Sequence, residues 1–295
     1  MLLFSLIVAG SFSFGKLIAG QIDPAALTAA RFALAAGLLG LVLGLTGRLR
    51  AAHYRSPWRF LFLGGTYAVF FVLMFEALKT ASPVSTAAVF TLMPFFAALL
   101  QRGLLGWRSS ALVWLALAIG AAGALWVVFG GSLARMLAFR LGRGEALFMI
   151  GTLSHAAYAA LVPGLRRGEP AYATTLGVAL GGALILSVLY LPTILATNWA
   201  GLGLLVWATL AYLAVFAGIG TFSLVNIAAM RLPAAKVTAY TYLIPFWVVL
   251  IEALSGRGLP HPALLLGGVP IALALFILFL ERPGGCDDEE VEARA

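Results

Sequence analysis

The sequence predicts an all-α, polytopic membrane protein of about ten transmembrane helices, arranged as two inverted five-helix repeats. Three observations lead there. Of the 295 residues, 62% are hydrophobic and only 10% are charged, against about 45–50% and about 25% in soluble domains. One water-soluble core has no room for that much apolar surface, whereas a bilayer is itself an apolar solvent. The apolar residues also form long continuous runs, broken by short stretches that carry turn and charge residues. Finally, a Pro-Phe pair inside one apolar run recurs 151 residues later inside another.

A spanning helix needs ~20 mostly apolar residues. The candidate runs are 2–22, 25–47, 58–78, 83–101, 110–131, 145–163, 171–196, 201–230, 234–254 and 260–280, numbered here as helices one to ten. The first run lacks the basic start of a secretory signal and continues to Ile22, so it is read as a spanning helix. Asp23-Pro24, Arg48 to Arg59, Ser82-Pro83, Arg166 to Pro170 and Ser255 to Gly258 supply the breaks. Continuous runs, rather than short alternating segments, exclude a transmembrane β-barrel.

The formal net charge is +8, but the basic residues are scattered between apolar runs. They therefore read as topology signals rather than as a nucleic-acid patch. With the N-terminus inside, the inner loops and tail hold Arg48, Arg50, Arg55, Arg59, Arg102, Arg108, Arg166, Arg167, Arg231, Lys236, Arg282 and Arg294. The outer loops hold Lys79, Arg135, Arg140, Arg143 and Arg257. That excess places both termini on the cytoplasmic side of a bacterial-type inner (plasma) membrane. The segment SLARMLAFRLGRGE carries three arginines on the outer side and reads as interfacial, with Leu133, Met136 and Leu137 at helical spacing. The organisation is then a first repeat at 1–131, a linker at 132–144, a second repeat at 145–281 and an acidic cytoplasmic tail at 282–295. The sole cysteine, Cys286, excludes a disulfide within one chain.

The shift of 151 residues pairs Pro94 with Pro245, Phe95 with Phe246, Leu92 with Leu243, Ala77 with Ala228, Ala88 with Ala239, and Gln101 with Glu252. An odd number of helices in each half turns the second half over relative to the first. The segments SFSFGKLIAG, PAALTAARFALAA, ALKTASPVSTAAVFTLMPFFAALLQ and AAMRLPAAKVTAYTYLIPFWVVLIE carry a family likeness. On them the chain resembles the drug/metabolite transporter superfamily, in its EamA-type ten-helix branch, over nearly its whole length apart from the tail. Glu252 stands seven residues after Pro245, as in the family pattern, whereas Gln101 replaces the Glu usual in the first half. The resemblance implies a secondary transporter that moves small organic solutes, commonly outward. It also implies a functional place for Lys16, since the family has a lysine at the matching position.

Helices two, five and seven carry small residues at four-residue spacing, such as Gly40 and Gly44, Gly120 and Ala124, or Gly177 and Gly181. Small residues let helix backbones approach closely in lipid, so these helices read as scaffold. Polar and aromatic interruptions mark helices one, three, four, six, eight and nine as cavity walls. Lys16 has two readings, a cavity cation or a side chain snorkelling to the outer interface. Arg31 reads as a packing or interface residue. His155 and Tyr158 share a face of helix six, as a hydrogen-bonded packing pair or as substrate contacts, His155 also being a candidate proton carrier. Pro94 and Pro245 interrupt helices four and nine and leave the carbonyls of Phe90 and Thr241 without their helical donors. The outcome is either a simple kink or a midplane site built with Met93, Tyr240 and Tyr242. Tyr67, Phe71 and Met74 form a stripe that fits packing or pocket. Glu76 and Lys79 suit an exposed pair, and Asn226 a gate or an interhelical bond.

Three classes of function compete. An embedded enzyme has little support: His53, His155 and His261 are far apart, HExxH and GxSxG are missing, and no carboxylates pair within helices. A channel or a non-transporting membrane subunit has no ring of charges or filter-like loop in this sequence to support it. No GxxxxGK[ST] sequence occurs, and no cofactor or metal motif. The expected partners are a small-molecule substrate and the lipid bilayer, with protons as candidate coupling ion and no nucleic acid. Monomer and homodimer both stay open. Aromatic and hydroxyl residues with few carboxylates suit amphiphilic solutes, such as amino acids or related metabolites, better than highly charged phosphates.

Overall fold

The computed structural model describes residues 1–106, 110–138, 141–221, 224–225, 240–259 and 261–280. Among these, seven helices are long and apolar enough to cross a membrane: α2 (Pro24–Leu45), α3 (Pro57–Ala77), α4 (Pro83–Leu104), α5 (Ala111–Val128), α6 (Arg143–Leu165), α7 (Ala171–Leu189) and α10 (Pro262–Leu280). Three shorter apolar helices complete the set, α1 (Leu2–Ile18), α8 (Leu204–Gly220) and α9 (Tyr240–Leu254). Each falls within or overlaps one of the ten predicted runs. The expected features at Asn226, Arg231, Lys236, Ala228, Ala239, Arg140, Arg108 and the tail from 282, with Cys286, lie outside the described residues.

The helix starts follow local chemistry. Proline opens α2, α3 and α4, where its missing N–H costs nothing. Asp23 Oδ1 accepts from the N–H groups of Ala25 (2.8 Å) and Ala26 (3.3 Å), and Ser82 Oγ accepts from Ser85 N (3.1 Å). The predicted turn signals Asp23-Pro24 and Ser82-Pro83 are therefore caps. Helix seven ends at Leu189 rather than running to 196, because Pro192 starts a separate short helix, Leu191–Ala196. In the linker a five-residue helix, Leu133–Leu137, leaves Leu133 and Leu137 exposed and folds Arg135 back onto the Gly130 carbonyl (3.1 Å).

The helices that carry Pro94 and Pro245 restart in the same way, each at the residue before its proline. In α4, a first helical piece ends at Phe90 and a second starts at Met93, after Leu92 at φ −76°, ψ −13°. In α9, a 3₁₀ turn, Tyr240–Leu243, precedes an α-helix starting at Ile244, after Leu243 at φ −79°, ψ −16°. Leu92 and Leu243 are the pair that the 151-residue shift aligns, so equivalent residues adopt equivalent conformations.

Close packing sets the arrangement. α3 lies against α6 and α7, α2 against α7, α5 against α10, and α1 against α9. At the α3–α7 crossing a Cβ on Gly64 would run into Gly182 N and Val178 O, and one on Gly181 into the backbone of Phe60. Interhelical hydrogen bonds join Tyr212 to the Ile7 carbonyl (2.6 Å), Ser154 to that of Thr66 (2.7 Å), and Trp247 to Ser5 Oγ (2.9 Å). Large apolar side chains such as Leu45, Val188, Leu204 and Phe276 point outward and are more than half exposed, a surface that suits lipid.

Candidate functional site

Aromatic side chains from four helices meet in the middle of the bundle. Phe12, Phe70, Phe90 and Phe148 are 0–4% exposed and pack ring to ring, with Phe12–Phe148 centroids 5.8 Å apart and Phe70–Phe90 5.6 Å apart. Tyr67 stacks on Tyr158 at 4.6 Å, and His155 lies edge-on to Phe70 at 4.5 Å and 5.4 Å from Tyr67. Offset and edge-to-face pairs of this kind hold the rings in fixed orientations.

Beside these rings lies a cavity of about 380 Å³, within the range of small-molecule sites. It is walled by α1, α2, α3, α4, α6, α7, α8 and α9. Among the described residues it extends from exposed Pro163 and Arg166, at the C-terminal end of α6, to buried Phe12, Met74 and Phe90. The opposite end of the bundle is packed. There Lys16 Nζ donates to the carbonyls of Leu78 (2.7 Å) and Ala81 (3.0 Å), and Ser85 donates to Glu145 (2.8 Å).

Six of the residues singled out from sequence line this cavity: Tyr67, Phe90, Met93, His155, Tyr158 and Thr241. Phe71 and Met74 join them. Three do not. Lys16 is half-buried at the closed end and holds two carbonyls of the α3–α4 turn, those of Leu78 and Ala81. Tyr240 packs against Phe279, and fully buried Tyr242 lies over Gly120 in a separate cluster with α5 and α10. A 3₁₀ turn has three residues per turn, so neighbours point about 120° apart. Only Thr241 of this trio therefore faces inward. Pro94 and Pro245 sit at the second position of the restarted helices. Glu76 and Lys79 form the expected pair, 2.6 Å apart and about a third exposed.

Helices two and seven are cavity walls as well as scaffold, contrary to the division expected from their small residues. Arg31, Phe32 and Ala35 of α2 and Thr174 and Val178 of α7 line the cavity. Thr174, Val178 and Gly181 share one stripe of α7, which meets α3 at Gly181 and borders the cavity at Thr174 and Val178. Arg31 is 2% exposed. Its guanidinium carbon lies 3.6 Å over the Phe71 ring, and Nη2 donates to the Leu213 carbonyl at 3.1 Å. The end of α8 is a π-helix, Val215–Gly220, and its Ala217, Gly218 and Ile219 also line the cavity. π-turns inside α-helices are frequent at functional sites. Nothing in the hydropathy pattern marks that turn; the unmatched charge of Arg31 in an apolar run was the one visible signal for its place.

Near the exposed end, a polar knot ties the α6–α7 connection to α3. Buried Arg59 pairs with Glu169 at 2.9 Å and donates to the Leu165 carbonyl. Arg167 N donates to Glu169 Oε2 at 2.7 Å. Desolvation pushes the Glu169 carboxyl up, but backbone N–H groups of Glu169 and Arg167 together with Arg59 outweigh it and hold the carboxyl below its ordinary value.

The family model described as the EamA-like transporter family matches residues 1–129 and again 142–280. The uncharacterized transporter YyaM of Bacillus subtilis (strain 168) is 26% identical over 257 residues, which is 86% of this chain and 84% of that protein. A protein crystal structure with 20% identity covers 95% of each chain at a TM-score of 0.67, and so shares the fold. With apolar helices enough for a multi-pass membrane protein and a family match over both halves, the chain belongs to the EamA-like transporter family.

Proposed function

We propose that this protein is a secondary transporter that exports small organic solutes, amino acids or related metabolites, across a bacterial-type inner membrane by alternating access. The observation that carries the reading is the central cavity, bounded by helices of both halves, reaching exposed residues at one end and packed shut at the other. Alternating access needs a site that one rearrangement closes on one side and opens on the other. The matched breaks at Pro94 and Pro245 supply irregular backbone where it borders the cavity, the place where membrane proteins tolerate it. The two halves, 1–131 and 145–281, act as inverted repeats joined by the interfacial linker 132–144. By the excess of inner Lys and Arg, both termini are cytoplasmic, which turns the exposed end of the cavity toward the cytoplasm.

Tyr67, Phe90, Met93, His155, Tyr158 and Thr241 are the proposed solute contacts. Cells overproducing the protein should release members of a metabolite panel faster than control cells. Tyr67→Ala, His155→Ala and Tyr158→Ala should each cut that release several-fold at unchanged membrane abundance. Normal release by all three variants would remove the site, and no released solute would remove the transporter. A C-terminal alkaline phosphatase fusion in the same cells should be inactive; an active one reverses the orientation.

A further inference from the structure

Among the described residues, nothing neutralises a buried cation in the cavity wall. Arg31 lines the cavity at 2% exposure. Phe71 covers its guanidinium and one carbonyl accepts from Nη2, but among the described residues Nη1 has no hydrogen-bond partner. Every acidic side chain among the described residues is engaged elsewhere. Asp23 caps α2, Glu76 pairs with Lys79, Glu145 accepts from Ser85, Glu169 pairs with Arg59, and Glu252 pairs with Arg257 at 2.7 Å. Buried charges are ordinarily paired, and buried polar atoms ordinarily bonded.

Two more buried polar atoms lack partners on the same cavity, His155 Nδ1 from α6 and Thr174 Oγ1 from α7. The three therefore come from three helices, and aromatic contacts connect Arg31 to His155: Phe71 lies 4.7 Å from Tyr67, which lies 5.4 Å from His155. One ligand group answers such a set. A carboxylate accepts from guanidinium N–H groups, and from a hydroxyl or an imidazole N–H, while its apolar body lies among the rings. An ammonium finds no counter-charge: among the described residues the ionisable lining consists of Arg31, His155, Arg166 and tyrosines, without Asp or Glu.

We propose that Arg31 is the anion-recognising residue of the cavity, and that the solute is a monocarboxylate with an apolar or aromatic body and no ammonium group. The inference rests on the transporter reading and narrows its substrate class from amino acids and related metabolites to the organic acids among them. The test uses the full chain in lipid nanodiscs and three probes of one shape: 3-phenylpropanoate, phenylalanine and 3-phenylpropylamine. Equilibrium binding should favour 3-phenylpropanoate at least ten-fold over both others, a difference of about 1.4 kcal/mol. Arg31→Gln should erase that preference, and Arg31→Lys should restore part of it. Should Arg31→Gln fail to fold, Thr174→Val should weaken 3-phenylpropanoate several-fold without altering the amine. Equal or tighter binding of the amine or of phenylalanine, no binding of 3-phenylpropanoate, or its unchanged binding by Arg31→Gln, overturns the proposal. Flux in liposomes separates the two levels. Binding of the acid with no flux of any solute leaves Arg31 in place and removes the transporter, whereas flux of phenylalanine or the amine without preference for the acid does the reverse.

Discussion

Lys16 and Arg31 are the two basic residues inside the first apolar runs, and the fold uses them differently. Arg31 faces the cavity, while Lys16 bridges α1 to the end of α3 through two carbonyls, at 2.7 and 3.0 Å. Hydrogen bonds from a charged donor contribute about 1.5–3 kcal/mol each. Lys16→Met keeps the apolar stem and removes both, so it should lower the thermal midpoint by several degrees and slow flux by loosening the closed end. Ligand affinity of the cavity should move by less than about two-fold, as for a change away from a site. Thermal scans and equilibrium binding on one nanodisc preparation separate these effects. Lost affinity at an unchanged midpoint would put Lys16 in the binding site after all.

At the scale of elements, the α3–α7 crossing is where the bundle has least tolerance. Gly64 and Gly181 bring the two backbones together, and the atoms that a Cβ would meet are themselves backbone, which cannot turn aside. Overpacking ordinarily costs about 1–3 kcal/mol, and a leucine here forces whole helices apart. Gly64→Leu should therefore abolish monodisperse protein after detergent extraction. Gly37→Leu is the matched control, because nothing lies within 4 Å of the Cβ position at Gly37. Size-exclusion profiles of the two variants decide it: equal recovery would mean that the crossing is not tight. Helices five and nine show a related economy of space, since the Tyr242 ring occupies the room left by Gly120.

For the whole molecule, the Arg59–Glu169 knot links the α6–α7 connection to α3 beside the exposed end of the cavity. Its carboxyl is held below the ordinary value, so the folded protein favours the ionised form. That contribution is complete above the unfolded-state carboxylate value, about 4.3 for Glu, and is lost as pH falls through the lower folded value. The thermal midpoint of the wild type should decline as the pH drops from about 5 toward 3. Glu169→Gln should start lower at neutral pH, because it leaves Arg59 buried without its counter-charge, and should decline less steeply. Parallel scans of both proteins across that range test it; identical slopes would mean that Glu169 does not report on folding.

The ten spans, their proline and aspartate starts, the paired breaks at Pro94 and Pro245 and the family were legible in the sequence, because each rests on local chemistry. Run length against bilayer thickness, an N-cap, or a missing N–H acts within a few residues. Which side of each helix faces the cavity was not legible in that way. Lipid and protein interior are both apolar, so hydropathy around a spanning helix does not separate an inward face from an outward one. That is why α2 and α7 read as scaffold although Arg31 and Thr174 line the cavity. It is also why three consecutive residues, Tyr240, Thr241 and Tyr242, looked alike until the 3₁₀ turn sent them three ways. The partners of Lys16 lie 62 and 65 residues along the chain, and whether Arg31 Nη1 finds a partner among the described residues depends on helices far apart in sequence. The residues at this site were thus supplied by sequence, but their meeting was decided by tertiary packing, since only the assembled bundle fixes which buried groups find a partner.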